Sequence, residues 1–133
     1  MELPQDIKYT KDHEWVRISG EGSSEGLVAT IGITSFAQEE LGEIVYVDLP
    51  KKGGEVKARG VLCVVESTKA ASDVYSPING VVLESNLHLE NQPSLINTSP
   101  YNDGWIAKIC NVKKEDIETL LSYEEYQKLI KGH

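Results

Sequence analysis

Short apolar runs rich in β-branched residues, separated by polar and Gly- or Pro-containing turns, fill much of this chain, and beyond Lys114 the apolar spacing becomes helical. Residues 13–19 (HEWVRIS) and 27–34 (LVATIGIT) are rich in β-branched and aromatic side chains, and the polar run GEGSSEG between them reads as a hairpin loop. Thr34 or Ser35 is placed to cap a short helix through AQEEL, with Gln38 three residues after Ser35 as in a capping box and Gly42 as the stop. At 3.6 residues per turn it has room for about two turns.

Residues 44–49 (IVYVDL) are strand-like, and after the turn PKKGG a second run extends from Glu55 to Val65. Two P-x-x-G turns, Pro50 to Gly53 and Pro77 to Gly80, flank the segment ESTKAASD at residues 66–73, a hint of two similar hairpin units related across its lysine. From Asn86 to Gly104 the chain is rich in Asn, Ser and Pro, and it reads as wrapping the fold rather than packing into it, before a last strand over 105–112. Beyond Lys114, Ile117, Leu120 and Leu121, then Tyr123, Tyr126, Leu129 and Ile130, recur at helical spacing, with Ser122 and Glu125 set for another capping box. The pattern predicts one mainly β domain over 1–133, with a β core over about 8–112 and helices over about 114–131.

Charge narrows the function. The chain has 21 Asp and Glu against 13 Lys and Arg, a net charge of −8 that repels phosphate backbones and anionic lipid, so neither nucleic acid nor membrane is an expected partner. No run approaches the roughly 18 apolar residues of a membrane span, and MELPQDIKYT shows no targeting pattern. Cys63 and Cys110 sit in apolar surroundings that suit free thiols in a reducing compartment. His13, His88 and His133 are too scattered to suggest metal ligation, so no metal is expected.

One residue then stands out. Lys69 sits among Ser67, Thr68, Ala70, Ala71 and Ser72, between two runs that both need burial, so the segment reads as an exposed hairpin turn. Imine chemistry requires a desolvated amine with acid and base groups around it, which such a turn does not supply. Two readings stay open on spacing alone: an ordinary solvated lysine, or an attachment point whose small neighbours admit a modifying enzyme.

The segment ESTKAASDVYSPINGVV resembles the lipoyl-attachment region of glycine cleavage system H proteins. The likeness extends through YTKDHEWVR, ATIGITSFAQEELGEIVYVDLP, INTSPYNDGWIAKI and the acidic C-terminal helices, nearly the whole chain. The resemblance implies a flattened β barrel of the barrel-sandwich hybrid type shared by lipoyl and biotinyl domains. It also implies lipoate joined by an amide to Lys69; biotinyl domains usually have methionine on both sides of the lysine, where this chain has Thr68 and Ala70.

In the family the protein is a non-catalytic, swinging-arm carrier of one-carbon metabolism. A glycine decarboxylase (P protein) loads an aminomethyl group on the arm, an aminomethyltransferase (T protein) unloads it, and dihydrolipoamide dehydrogenase (L protein) reoxidises the dithiol. Lipoyl-attaching enzymes are the further partners, and a monomer is expected. The resemblance also implies a cleft that shelters the loaded arm, with Glu14, Asp73, Asp12, Glu40 and Glu66 as candidate arm-cleft or recognition residues. For Glu14 and Asp12 the alternative is a solvated strand entrance, and for Asp73 a carboxylate capping its own turn. Glu40 stands where some relatives have histidine, and Thr68 where valine is frequent. A rival client set, a lipoyl relay to other lipoate-dependent enzymes, fits the same residues. Bacterial cytoplasm is expected, with the mitochondrial matrix as the alternative for a trimmed chain.

Overall fold

The computed structural model describes residues 4–19 and 27–132, so the GEGSSEG loop lies outside the described residues. Their elements follow the chain as β1 (Lys8–Tyr9), β2 (Glu14–Ser19), β3 (Leu27–Ile33), α1 (Ser35–Leu41), β4 (Ile44–Asp48), β5 (Glu55–Val56), β6 (Val61–Ser67), β7 (Ala71–Tyr75) and β8 (Gly80–Ser85). The helices α2 (His88–Asn91) and α3 (Leu95–Thr98), strand β9 (Ala107–Val112), and helices α4 (Lys114–Glu118) and α5 (Tyr123–Lys131) complete the order. Antiparallel pairing produces a six-stranded sheet, β1-β2-β3-β9-β8-β5, and a three-stranded sheet, β4-β6-β7. The mainly β architecture is what the sequence pattern predicts, and the two sheets fit the barrel-sandwich hybrid that the resemblance implies.

Alternation decides which side chains enter which core. In β2, Val16 faces the main core while Trp15 turns to the outer face of the large sheet; in β3, Ala29, Ile31 and Ile33 face inward. Gly32 is required on the outer face, because a β-carbon there would stand 2.7 Å from the Trp15 indole. Trp15 is fully buried and donates its ring N–H to the Pro100 carbonyl at 3.0 Å, which satisfies the one polar atom of the indole. Around it Tyr9, Tyr101 and Tyr126 form a second, aromatic core, with Tyr9 and Tyr126 stacked at 4.5 Å.

The C-terminal helix supplies Tyr126 to that core. Its start carries the expected capping box, the Glu125 amide donating to Ser122 Oγ while the Ser122 amide donates to Glu125 Oε1. For α1 the cap is Thr34, whose hydroxyl accepts from the Ala37 amide, and Gly42 ends the helix at φ 87°. Gln38 does not close a box there: its side-chain amide donates to the Ser35 carbonyl instead.

Three expectations are corrected. The run from Glu55 to Val65 is not one strand but two, because a turn at Lys57–Gly60 passes the chain from the large sheet to the small one. The last strand begins at Ala107, two residues after Trp105. The segment from Asn86 to Gly104 packs as well as wraps: Leu89 and Ile96, on α2 and α3, are fully buried in the main core. No helix among the described residues is long and apolar enough to cross a membrane.

Candidate functional site

Every pair from β6 with β7, and from β5 with β8, straddles the same point of the chain, Thr68–Lys69, from Glu66↔Ala71 out to Glu55↔Val81. The two P-x-x-G units are therefore the two arms of one nested hairpin that crosses both sheets, with the lysine at its tip. Val56 pairs with Gly80, and Gly53 donates to the Val82 carbonyl at 2.8 Å, so the flanking turns meet at the base.

Ser67 shapes the tip. Its hydroxyl accepts from the amides of Lys69 at 3.1 Å and Ala70 at 3.2 Å, while its own amide donates to the Ala70 carbonyl at 2.8 Å. The Thr68 amide donates to the Glu43 carbonyl at 3.0 Å, which latches the tip to the junction of α1 and β4. Lys69 is exposed, and neither ion pair found among the described residues involves it. Its stem passes over Gly42, where a β-carbon would stand 3.4 Å from Cε. An amine set out in solvent, on a hydrogen-bonded turn of small residues and with a bare glycine beneath it, fits a group joined there by an amide.

Helix α1 is held at both ends by side chains distant in sequence. At its N-terminus the Tyr126 hydroxyl is 2.8 Å from Thr34 Oγ1 and 2.8 Å from His13 Nδ1, while Tyr101 Oη accepts from the Ser35 amide at 2.9 Å. At its C-terminus Asn97 donates to the Gly42 carbonyl and to Gln38 Oε1, each at 2.9 Å, and accepts from the Ile44 amide at 2.8 Å.

Between α1, the start of β2 and β7 lies a cleft of about 200 Å³, whose walls include Asp12, His13, Glu14, Phe36, Glu40 and Asp73. The structure thus brings together four of the five acidic residues singled out in the sequence. Glu66 is not among them; it sits exposed on β6, opposite Tyr46 and Ala71.

Glu14 differs from its neighbours. It is 3% exposed, its Oε1 accepts from Thr10 Oγ1 at 2.6 Å, and its Oε2 accepts from the Tyr75 amide at 3.3 Å. Burial pushes its carboxyl up to about 7, against the two hydrogen bonds that favour the charged form. Near neutrality the group is therefore poised between an acid and an anion, and a cation beside it would tip it toward the anion. Asp12, Glu40 and Asp73 are exposed.

His13, Phe36, Asn97 and Tyr126 were not singled out for the site by sequence reasoning. His13 lies within the quoted HEWV motif, at a φ of 72° that swings its ring onto Phe36 at 4.7 Å. Among the described residues no three His, Cys, Asp or Glu side chains gather as a metal site.

The family model described as glycine cleavage H-protein matches residues 7–133. The glycine cleavage system H protein of Halorhodospira halophila (strain DSM 244 / SL1) is 46% identical over 129 residues, 97% of this chain and 95% of its own length. That of Methylacidiphilum infernorum (isolate V4) is 47% identical over 130 residues, 98% of this chain and 97% of its own. Among solved structures, a glycine cleavage system H protein from Mycobacterium marinum superposes with a TM-score of 0.83 at 36% identity, covering 97% of this chain and 99% of that one.

Proposed function

The chain belongs to the glycine cleavage H-protein family, the lipoyl carriers of the glycine cleavage system, and on that premise we propose that Lys69 is the residue that bears its lipoyl arm. The observation that carries this reading is the nested hairpin, which sets one lysine at its tip, exposed and held only through its backbone. Bound there, lipoate would supply a redox-active dithiolane able to carry an aminomethyl group between a glycine decarboxylase and an aminomethyltransferase, with dihydrolipoamide dehydrogenase as the third partner.

The chain's own residues do the rest, and none of them is catalytic. Ser67 and the Thr68–Glu43 backbone bond fix the direction in which the amine leaves the turn, so lipoyl-attaching enzymes and the later partners meet the same projection. The tether keeps its cargo at high effective concentration near each partner, with an arm on the order of 14 Å counted from bond lengths. Asp12, Glu14, Glu40 and Asp73 give the cleft an acidic lining suited to a cationic arm end. Phe36, Ile33 and Leu41 supply its apolar wall, which keeps water from much of the arm. The strands on both sides of the lysine join the same two sheets, which supports a single carrier unit. The relatives named above are bacterial, which supports a place in the bacterial cytoplasm.

The test is reconstitution with a glycine decarboxylase. The lipoylated chain should support exchange of the glycine carboxyl with labelled bicarbonate, and Lys69→Arg should not. Exchange at equal rates with the variant would overturn the assignment.

A further inference from the structure

Glu14 also lines a second cavity, of about 210 Å³, framed by the turn between β1 and β2, the corner between β5 and β6, the end of β7 and the link between α4 and α5. Both groups that hydrogen-bond its carboxyl, Thr10 Oγ1 and the Tyr75 amide, belong to residues lining this second cavity, and neither residue lines the cleft. The carboxyl is thus held by the walls of the cavity that the carrier function does not use.

The cavity carries both signs of charge. Arg59 and Lys11 line it together with Glu14 and Asp12, and neither ion pair found among the described residues involves any of the four. Arg59, an exposed residue of the lining, sits in a fixed turn: its backbone has a φ of 72°, rare for a residue with a side chain, and its amide donates to the Ser76 carbonyl at 2.8 Å. A lone anion entering here would meet two carboxyls, and a lone cation would meet a guanidinium and an ammonium. A small ligand with an ammonium and a carboxylate on the same carbon satisfies both sides. The cavity has about the volume of seven waters, and Leu120, Leu121 and Pro77 leave apolar wall for a short side chain.

We propose that this second cavity binds a small zwitterionic α-amino acid, its ammonium on Glu14 and its carboxylate on Arg59. Because Asp12 and Glu14 line both cavities, the bound amino acid draws on the same carboxyls as a cationic arm end in the cleft, so the two oppose each other. That coupling rests on the carrier reading; the binding does not.

The test uses the unlipoylated chain, so its failure leaves the assignment of Lys69 untouched. Amide NMR spectra are followed during titration with glycine, with acetate, methylammonium and sodium chloride as probes of a single charge. Glycine should give saturating shifts at Thr10, Tyr75 and Ser76 that no single-charge probe reproduces at the same concentration. Arg59→Gly removes the guanidinium while accepting the positive φ, and it should weaken glycine at least about tenfold, which is about 1.4 kcal/mol. Absent or non-saturating shifts, equal shifts with acetate or chloride, or unchanged affinity in Arg59→Gly would each overturn the proposal.

Discussion

Lys69 lies across Gly42: a β-carbon on that glycine would stand 3.4 Å from Cε and 3.8 Å from Nζ of the lysine. Gly42 has φ 87° and ψ −162°, a conformation that essentially only glycine adopts, because it must end α1 and turn the chain into β4 at once. Gly42→Ala should therefore cost about 1–3 kcal/mol of stability. It should also slow lipoylation by filling the space beneath the lysine stem. Urea unfolding and the initial rate of modification check the two effects separately, and an unchanged rate in a destabilised variant would show that the contact is incidental.

The buried carboxyl of Glu14 predicts a pH dependence with a definite sign. Its folded value of about 7 lies above the ordinary 4.5, so the folded state holds a proton that the unfolded state has already lost between those limits. Stability from this group is intact below about pH 4.5 and falls as pH rises to about 7, by roughly 3 kcal/mol for a shift of this size. Glu14→Gln lacks the titration. The difference in unfolding free energy between variant and parent should move in favour of the variant from pH 4.5 to pH 8, measured by urea denaturation at each pH. A difference that stays constant would mean that the carboxyl is ordinary.

Tyr126 joins the C-terminal helix to both the N-cap of α1 and His13. Tyr126→Phe keeps the stack on Tyr9 but removes both hydrogen bonds, and should cost about 1–3 kcal/mol because Thr34 Oγ1 stays buried. The midpoint of urea unfolding measures it. Lipoylation of Lys69 should continue at the parent rate, since the hairpin tip takes no support from Tyr126.

Asn97 satisfies three groups at the other end of α1. With Asn97→Ala the Ile44 amide and the Gly42 carbonyl lose their partner, so the α1–β4 junction should open locally. Hydrogen exchange at the Ile44 amide should accelerate by about tenfold or more, the equivalent of a bond worth about 1.4 kcal/mol. Exchange in β3 and β9 should be unaffected.

What could be read in the sequence was local. The strands around the lysine announce themselves as short apolar runs, the turn by its small residues, and α5 by its capping box and helical spacing, each a signal contained within a few neighbours. The P-x-x-G echo hinted at symmetry across Lys69, and the register shows it as nesting. Asn97 and Tyr126 gave no such signal for their roles, because their partners lie 53 to 113 residues away. Leu89 and Ile96 looked like parts of a wrapping loop because each fills the core alone, from a single helical turn too short to show a period. Glu14 was legible as a candidate, but its burial and its place between two cavities depend on how β7 and the α4–α5 link close over β2.

Carriage depends on one amine, that of Lys69. Co-expression with a lipoylating enzyme and intact mass spectrometry of the purified chain and of Lys69→Arg measures it directly. The mass of one lipoyl group is expected on the parent chain and none on the variant; a parent that stays unmodified, or a variant that gains the same mass, would overturn the assignment of Lys69.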